Sequence, residues 1–280
     1  MAQLHYEIAD GLATVVLNNP PQNRLGIAML DNLADALDNI GRSGARALLL
    51  RADGPDFSFG GDIVPWPDAT IAQLRALDRP FVLLDREVQG LDVPAVVSDH
   101  AAGMRAAVAH LVDLGHKTIG LIGNNAHTRP SKTRVESVLA ACREHRGVSA
   151  VVETGSPTAG HGEAAAERLL SRRNAPTAII ATSNETLIGV LRSLRRHEVD
   201  VPREMSLLTC DPLPLTEFLQ PSLATIDRDH VQMGSTAAEL ILETLRGRTA
   251  GKVTLPVIFD PSDSCGPARA KSIPRPRRVR

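Results

Sequence analysis

Aromatic side chains are scarce in this 280-residue chain: Trp 1, Tyr 1 and Phe 5, or 2% of its residues. That leaves too few rings for a platform on which single-stranded nucleic acid stacks. Cysteine is scarcer still. Cys142, Cys210 and Cys265 are odd in number and far apart, which excludes a disulfide framework and a paired-cysteine zinc pattern. No apolar run approaches the roughly 18 residues of a membrane span. The stretch Met1 to Asp10 is neither cationic nor followed by an apolar segment and cleavage site. A cytoplasmic protein, mature as written, is the expectation. Charge of one sign is lacking too: Lys+Arg 31 against Asp+Glu 32 leaves a formal net charge of -1, unsuited to coating phosphate backbones. HExxH, P-loop and CxxC patterns are missing, so neither metal nor cofactor is expected.

What is present is apolar residue enough, 43%, for one large or two ordinary domains. From Leu4 the run LHYEIADGLATVVLNN alternates around Asp10-Gly11, the strongest short signal for a hairpin. Ile27, Leu30, Leu33, Ala34, Leu37 and Ile40 follow at helical spacing, and Gly41 and Gly44 end that helix before a strand, Ala45 to Leu50. A loop rich in glycine and proline, Asp53 to Ala69, carries the single Trp and leads to a short helical pattern from Ile71 to Leu77. From Phe81 the rhythm becomes strand, loop, helix. FVLLD, PAVVS, TIGLIG, VSAVVE, TAIIATS, MSLLTC and LATID are short and continuously apolar, as strands buried on both faces of a parallel sheet are. Amphipathic helices separate them at Ala101 to Leu114, Ser131 to His145, Glu163 to Arg172, Glu185 to His197 and Gln232 to Arg246. That alternation predicts a doubly wound α/β domain. The end, ARAKSIPRPRRVR, reads as a disordered basic tail.

In open parallel sheets ligands bind beyond the carboxyl ends of the strands. Asp85 and Arg86 follow one strand. His127, Thr128, Arg129 and Ser131 lead from another toward Arg134; Asn184 and Glu185, Asp211, and Asp227 with Arg228 follow three more. Carboxylates, amides and guanidinia bind the hydroxyls of small polar ligands through paired hydrogen bonds. Each residue also has a plain alternative: Asn184 as a helix cap, Asp211 as a turn cap before Pro212, Arg134 as a solvated helix residue. Gly155, Gly160 and Gly162 read as loop flexibility, and His161 beside them as a surface residue.

The runs PFVLLDRE, VVSDHAAGMRAAVAHLVDLGHKTIGLIG, PTAIIATSNETLIGVLRSLRRHEVDVPREMSLLTCD, PSLATIDRDHVQMGSTAAELILETLRG and LPVIFDPSDSCGP fill Phe81 to Pro267 almost without interruption. Together they resemble the effector-binding region of the LacI/GalR family of transcription regulators, whose fold is that of periplasmic sugar-binding proteins. The resemblance implies a small-molecule effector, a sugar or similar polar metabolite, held by Asp85, Arg134, Asn184 and Asp211, with Arg228 as a polar contact near the hinge. It also implies a homodimer. This sequence departs from the family pattern at Glu185, at His100, which follows Asp99 where the family usually has Asn, and at Ser137, where a glycine is usual. These departures bear on ligand identity.

The front segment is different. LATVVLNNPPQNRLGIAMLDNLADAL, ARALLLRADGPDFSFGGDI and VPWPDATIAQLRAL, within Met1 to Leu77, resemble the start of a crotonase of the enoyl-CoA hydratase/isomerase superfamily. The resemblance implies that Gly61, with Gly60 beside it, supplies one backbone donor of an oxyanion hole. A glycine suits that position because no Cβ obstructs the thioester. The family's second donor and catalytic carboxylates have no counterpart here, Asp62 reads as a helix cap, and no catalytic residue is assigned.

Three segments are thus expected: a crotonase-like fragment over 1–77, a LacI/GalR-like sensor over 78–268 and the tail over 269–280. The front lobe of the sensor is then incomplete, or rebuilt from the front βαβ unit aligned beside Phe81 to Leu84 with the helix Gln232 to Arg246 on it. In the alternative the second lobe, Ser98 to Ile226 plus one strand from Val253 to Phe259, folds alone. With no helix-turn-helix in the sequence, direct specific DNA binding and membrane association are not expected. The leading reading is a sensor that is not an enzyme. The others are an acyl-CoA-binding crotonase relative without turnover and a recombined product with neither activity.

Overall fold

The computed structural model describes residues 4–19, 27–53, 81–85, 92–125, 129–211, 216, 218–248 and 251–269. It divides into two compact units, Met1–Trp66 and Pro67–Arg280. The loop bearing Gly60, Gly61 and Asp62, the helical pattern from Ile71 to Leu77, Arg86, His127, Thr128, Pro212 and nearly all of the basic tail lie outside the described residues.

In the first unit, β1 (Leu4–Ala9) and β2 (Leu12–Leu17) pair antiparallel, Ala9 opposite Leu12. Asp10 and Gly11 between them have φ of 52° and 80°, the left-handed pair that a two-residue hairpin turn needs. The helix α1 (Ile27–Gly41) leads to β3 (Ala47–Ala52), which is parallel to β2. Alternate residues Ala13, Val15 and Leu17 meet Met29, Ala36 and Ile40 in one core. These strands form a sheet of their own in the order β1-β2-β3. Phe81 to Leu84, expected beside these strands, belongs to the second unit. That segment contributes only β4 (Leu83–Leu84), whose described neighbour is β5 (Ala95–Ser98), while α1 already covers the apolar face of the front strands.

In the second unit, α2 (His100–Asp113), β6 (Thr118–Asn124), α3 (Arg129–Glu144), β7 (Ser149–Gly155), α4 (Ala159–Leu170), β8 (Ala178–Ala181), α5 (Asn184–Arg196), β9 (Ser206–Cys210), β10 (Ala224–Arg228), α6 (His230–Leu245), β11 (Lys252–Leu255) and β12 (Val257–Asp260) follow in order. Six strands form one sheet, β12-β10-β9-β8-β6-β7, parallel except for β12. Alternate side chains of β8 enter opposite cores. Ala178 and Ile180 pack with Met104, Val108 and Val138 of α2 and α3, and Ile179 and Ala181 with Ala165, Leu169 and Leu187 of α4 and α5. Helices on both faces explain why these strands read as continuous apolar runs, each buried Ile or Leu contributing about 1.5–3 kcal/mol.

A second, all-parallel sheet runs β11-β5-β4 and is covered by α6 through Met233, Ala237 and Leu240 against Val96, Val253 and Leu255. The single strand expected from Val253 to Phe259 is in fact two, in two sheets. Pro256, which has no N–H to give a ladder, marks the passage from β11 beside β5 to β12 beside β10. Gly160 and Gly162 are not loop residues either. Thr158 caps α4 by accepting from the His161 N–H, which places both glycines inside the helix.

Candidate functional site

The order of the large sheet reverses between β6 and β8, with β7 on one side and β9 on the other, so the crevice beyond the carboxyl ends of β6 and β8 is a topological switch point. Arg134 comes from α3, which follows β6, and Asn184 opens α5, which follows β8. Asp211 directly follows β9, Arg228 ends β10, and Asp85 directly follows β4 of the smaller sheet.

Four of these side chains form one line of charge. The Arg134 Nη2 donates to Asp211 Oδ2 at 2.7 Å, Arg228 Nε to Asp211 Oδ1 at 2.6 Å, and Arg228 Nη1 to Asp85 Oδ2 at 2.5 Å. Arg134 is 7% exposed, and its Nη1 also donates to the Thr182 carbonyl at 2.6 Å. It is no solvated helix residue. Both aspartates hold left-handed backbones, φ 52° at Asp85 and 57° at Asp211, a conformation that Asp tolerates better than most residues but that still costs of order 1 kcal/mol. Each is kept there by its own N–H, given to the Val96 carbonyl and the Ile226 carbonyl at 2.7 and 2.9 Å.

Burial works against the charge on Asp211, but the Arg134 and Arg228 guanidinia outweigh it, and the carboxyl sits below its ordinary value. Burial likewise opposes the charge on Asp85, which His100, Arg228 and Arg134 hold below the usual range. Burial disfavours a charged Arg134 as well, and the surrounding anionic groups, Asp211 and Asp85 among them, more than restore it. His100 is pushed down by burial and by Arg134, against the pull of Asp85. Two cations and two anions therefore balance.

Asn184 is not the cap of its helix. Ser183 takes that role through a capping box with Thr186, and Asn184 follows it with a buried Oδ1 that has no hydrogen-bond partner among the described residues. The buried Nε of Arg134 has none either. With the His100 Nε2, three buried polar atoms of this site thus lack a hydrogen-bond partner among the described residues, the Asn184 Oδ1 an acceptor and the Arg134 Nε a donor, each costing about 1–3 kcal/mol if left unmet.

The model of the periplasmic binding protein-like domain matches residues 108–264, more than half of the chain. The chain belongs to this family. Its periplasmic binding protein-like domain is of the LacI/GalR type: 184 of its residues, 64% of the chain, are 33% identical to the HTH-type transcriptional regulator MalR of Streptomyces coelicolor, covering 53% of that protein. The chain spans about half the length of the curated relatives it matches. Among solved structures, a LacI family transcriptional regulator from Enterococcus faecium with bound ribose superposes with a TM-score of 0.67 at 23% identity, over 84% of this chain and 85% of that one. A dimeric Lac repressor with a C-terminal deletion gives 0.66 at 20%, over 85% and 84%.

The second unit links Asp85, Arg228, Asp211 and Arg134 in one line of ion pairs and puts Asn184 two residues beyond the carbonyl that Arg134 holds. Asp227 is occupied locally, accepting from the Arg228 N–H at 2.7 Å. His161 lies half-buried in α4 with Nε2 3.2 Å from the Gly123 carbonyl, filling the space beside Gly155. His100 went unread as a site residue. It stands one residue past Asp99 at the end of β5, so the same search for polar residues beyond apolar strands would have found it. Among the described residues no group of His, Cys, Asp and Glu is arranged to hold a metal, and no helix is long and apolar enough to cross a membrane.

Proposed function

We propose that residues 67–280 are the effector-sensing part of a LacI/GalR-type transcription regulator and bind a sugar or similar uncharged polar metabolite through Asp85, Arg134, Asn184, Asp211 and Arg228. One observation carries the reading: an orphaned acceptor on Asn184 and an orphaned donor on Arg134 flank a buried, charge-balanced line of ion pairs at a sheet switch point. A ligand with both donor and acceptor hydroxyls meets both atoms. An anion or a cation would upset a balance already struck between two arginines and two aspartates. The ribose held by the Enterococcus faecium regulator is a ligand of this chemistry. The protein acts by binding and not by turnover, works in the cytoplasm and pairs as a homodimer, as the dimeric Lac repressor does. No residue of the described site is assigned to DNA. The front unit, a hairpin, a helix and a parallel strand around their own core, serves as structure without turnover.

The test is a thermal unfolding scan with millimolar pools of neutral sugars, nucleosides or acyl-CoA thioesters. A ligand at a hundredfold excess over Kd adds about 2.7 kcal/mol to the native state, a rise of several degrees. A rise with one neutral pool is expected. A rise with acyl-CoA alone contradicts the sensor reading and favours a live site on the Gly60-Gly61 loop.

A further inference from the structure

His100 opens α2 and is 2% exposed. Asp99 before it caps the helix, its Oδ1 accepting from the Ala102 N–H at 2.9 Å, and takes the Leu255 carbonyl through its own N–H at 2.8 Å. The backbone carrying His100 is thereby fixed to both the helix start and β11. The ring lies between two charges of the site. Its Nδ1 is 3.5 Å from Arg134 Nη2, and its Nε2 is 3.5 Å from Asp85 Oδ1.

A guanidinium only donates, so Nδ1 facing it must be the accepting nitrogen, and the ring proton belongs on Nε2. That nitrogen is buried and makes no hydrogen bond among the described residues; the acceptor it faces, at 3.5 Å, is the Asp85 carboxylate, which only accepts. The roles are complementary in one tautomer and clash in the other. A second proton, on Nδ1, would set an imidazolium N–H against the Arg134 guanidinium. The charged groups facing the ring are Asp85 after β4, Arg134 on α3 and Arg228 at the end of β10, two cations against one anion. The opposite oxygen of Asp85 is held by Arg228 Nη1. Arg228 thus holds the carboxylate by one oxygen, and the His100 ring faces the other at 3.5 Å.

We propose that His100, locked as its Nε2–H tautomer between Asp85 and Arg134, is a positioning residue of this site that orients the Asp85 carboxylate for the effector. The consequence for effector binding rests on the reading of the site as a neutral-ligand sensor; the tautomer and its dependence on Asp85 do not. Protonation of the ring turns its Nδ1 from acceptor to donor against the Arg134 guanidinium, and the repulsion moves the ring from its place between Arg134 and Asp85, so effector affinity falls on acidification.

The full chain with ring-15N histidine, observed by long-range 1H–15N correlation from pH 7.5 to 5, decides this. His100 is expected to show the Nε2–H pattern and to resist protonation below the pH at which free histidine titrates. Asp85→Asn, a residue equally at ease at positive φ, is expected to shift the Nε2 resonance. An Nδ1–H pattern, titration near that of free histidine, or signals indifferent to Asp85→Asn overturns the inference. Thermal shift with the neutral sugar and nucleoside pools at pH 7.5 and 5.5 gives the second readout. The wild-type chain should lose at least threefold in apparent affinity at the lower pH, and His100→Gln, which donates and accepts without titrating, should retain binding and lose the pH dependence. If no neutral pool shifts the wild-type chain, the effector reading fails while the ring resonances still decide the role of His100.

Discussion

Arg228 Nη1 lies 2.5 Å from Asp85 Oδ2, joining the carboxyl end of β10 in the six-stranded sheet to that of β4 in the three-stranded one. Both side chains are mostly buried, at 17% and 23% exposed, so the pair stands between a screened surface bridge and a fully buried one. Arg228→Gln should cost about 1–3 kcal/mol in chemical denaturation, since it leaves Asp85 facing His100 alone. Asp85→Asn added to Arg228→Gln should cost less than Asp85→Asn by itself, a coupling of about 0.5–3 kcal/mol. Strictly additive losses would mean that the two sheets are not tied through this pair.

Acid should weaken the fold in a defined window. His100, His116 and His161 all lie below their ordinary value of 6.5, burial being the main cause in each. A depressed histidine leaves the native state with fewer protons than the unfolded one, so its contribution is complete above pH 6.5 and declines as pH falls from there. His116 is the most enclosed by hydrogen bonds, with Thr177 Oγ1 at 2.7 Å, Ser206 Oγ at 2.9 Å and the Gly266 carbonyl at 3.1 Å. Asp85 and Asp211 keep their contribution until pH falls through their lowered values, below 3.8. Urea midpoints should be level from pH 8 to 7 and fall between 6.5 and 5. A rise over that lower interval contradicts the assignment.

The crossing of α4 and α5 gives a test with an internal control. A Cβ on Gly162 would run into the Thr186 carbonyl, and one on Gly189 into the Ala159 carbonyl, both backbone atoms that cannot swing aside. Gly189→Ala should therefore destabilise by about 1–3 kcal/mol despite the better helix propensity of Ala. Gly160, in the same helix with open space around it, should gain about 0.5–1 kcal/mol on the same change. Equal effects at the two positions would contradict the close crossing.

Thiol chemistry should be slow. Burial pushes the Cys210 thiol up to about 12 and Cys265 to about 11, and raises Cys142 as well. The native chain should react with a disulfide reagent at pH 8 far more slowly than a free thiol, and all three cysteines should react at once in denaturant. A fast native phase would show that a thiolate is exposed.

Much of this architecture was legible because its causes are local. TIGLIG, at Thr118 to Gly123, is β6 almost to the residue, since a strand with helices on both faces must be apolar throughout. Asp10-Gly11 forms the hairpin turn because both positions need positive φ. The passage of Val253–Phe259 between two sheets was not legible: alternation says that a segment is a strand, whereas its partners, β5 and β10, lie far away in the chain. Gly162 misled because a helix glycine required by a neighbouring backbone looks, in one dimension, like a loop glycine. The residues of the site were found by place, each beyond an apolar run, but not their mutual pairing, which depends on Arg228 reaching both aspartates. His100 escaped because it was read as a departure from a pattern rather than as a polar residue at the end of β5.

The most direct test is calorimetric titration of the wild-type chain and Asn184→Ala with the neutral sugar or nucleoside that stabilises the fold. The Asn184 Oδ1 is buried and bonds to nothing described, so its removal in the unliganded chain should not lower the unfolding midpoint and should raise stability by up to the roughly 1–3 kcal/mol that an unmet buried acceptor costs. The wild-type chain should bind saturably with one site per chain, and Asn184→Ala at least tenfold more weakly. Equal binding by both chains, or no saturable binding of any neutral ligand by the wild type, would contradict the assignment of this edge as an effector site.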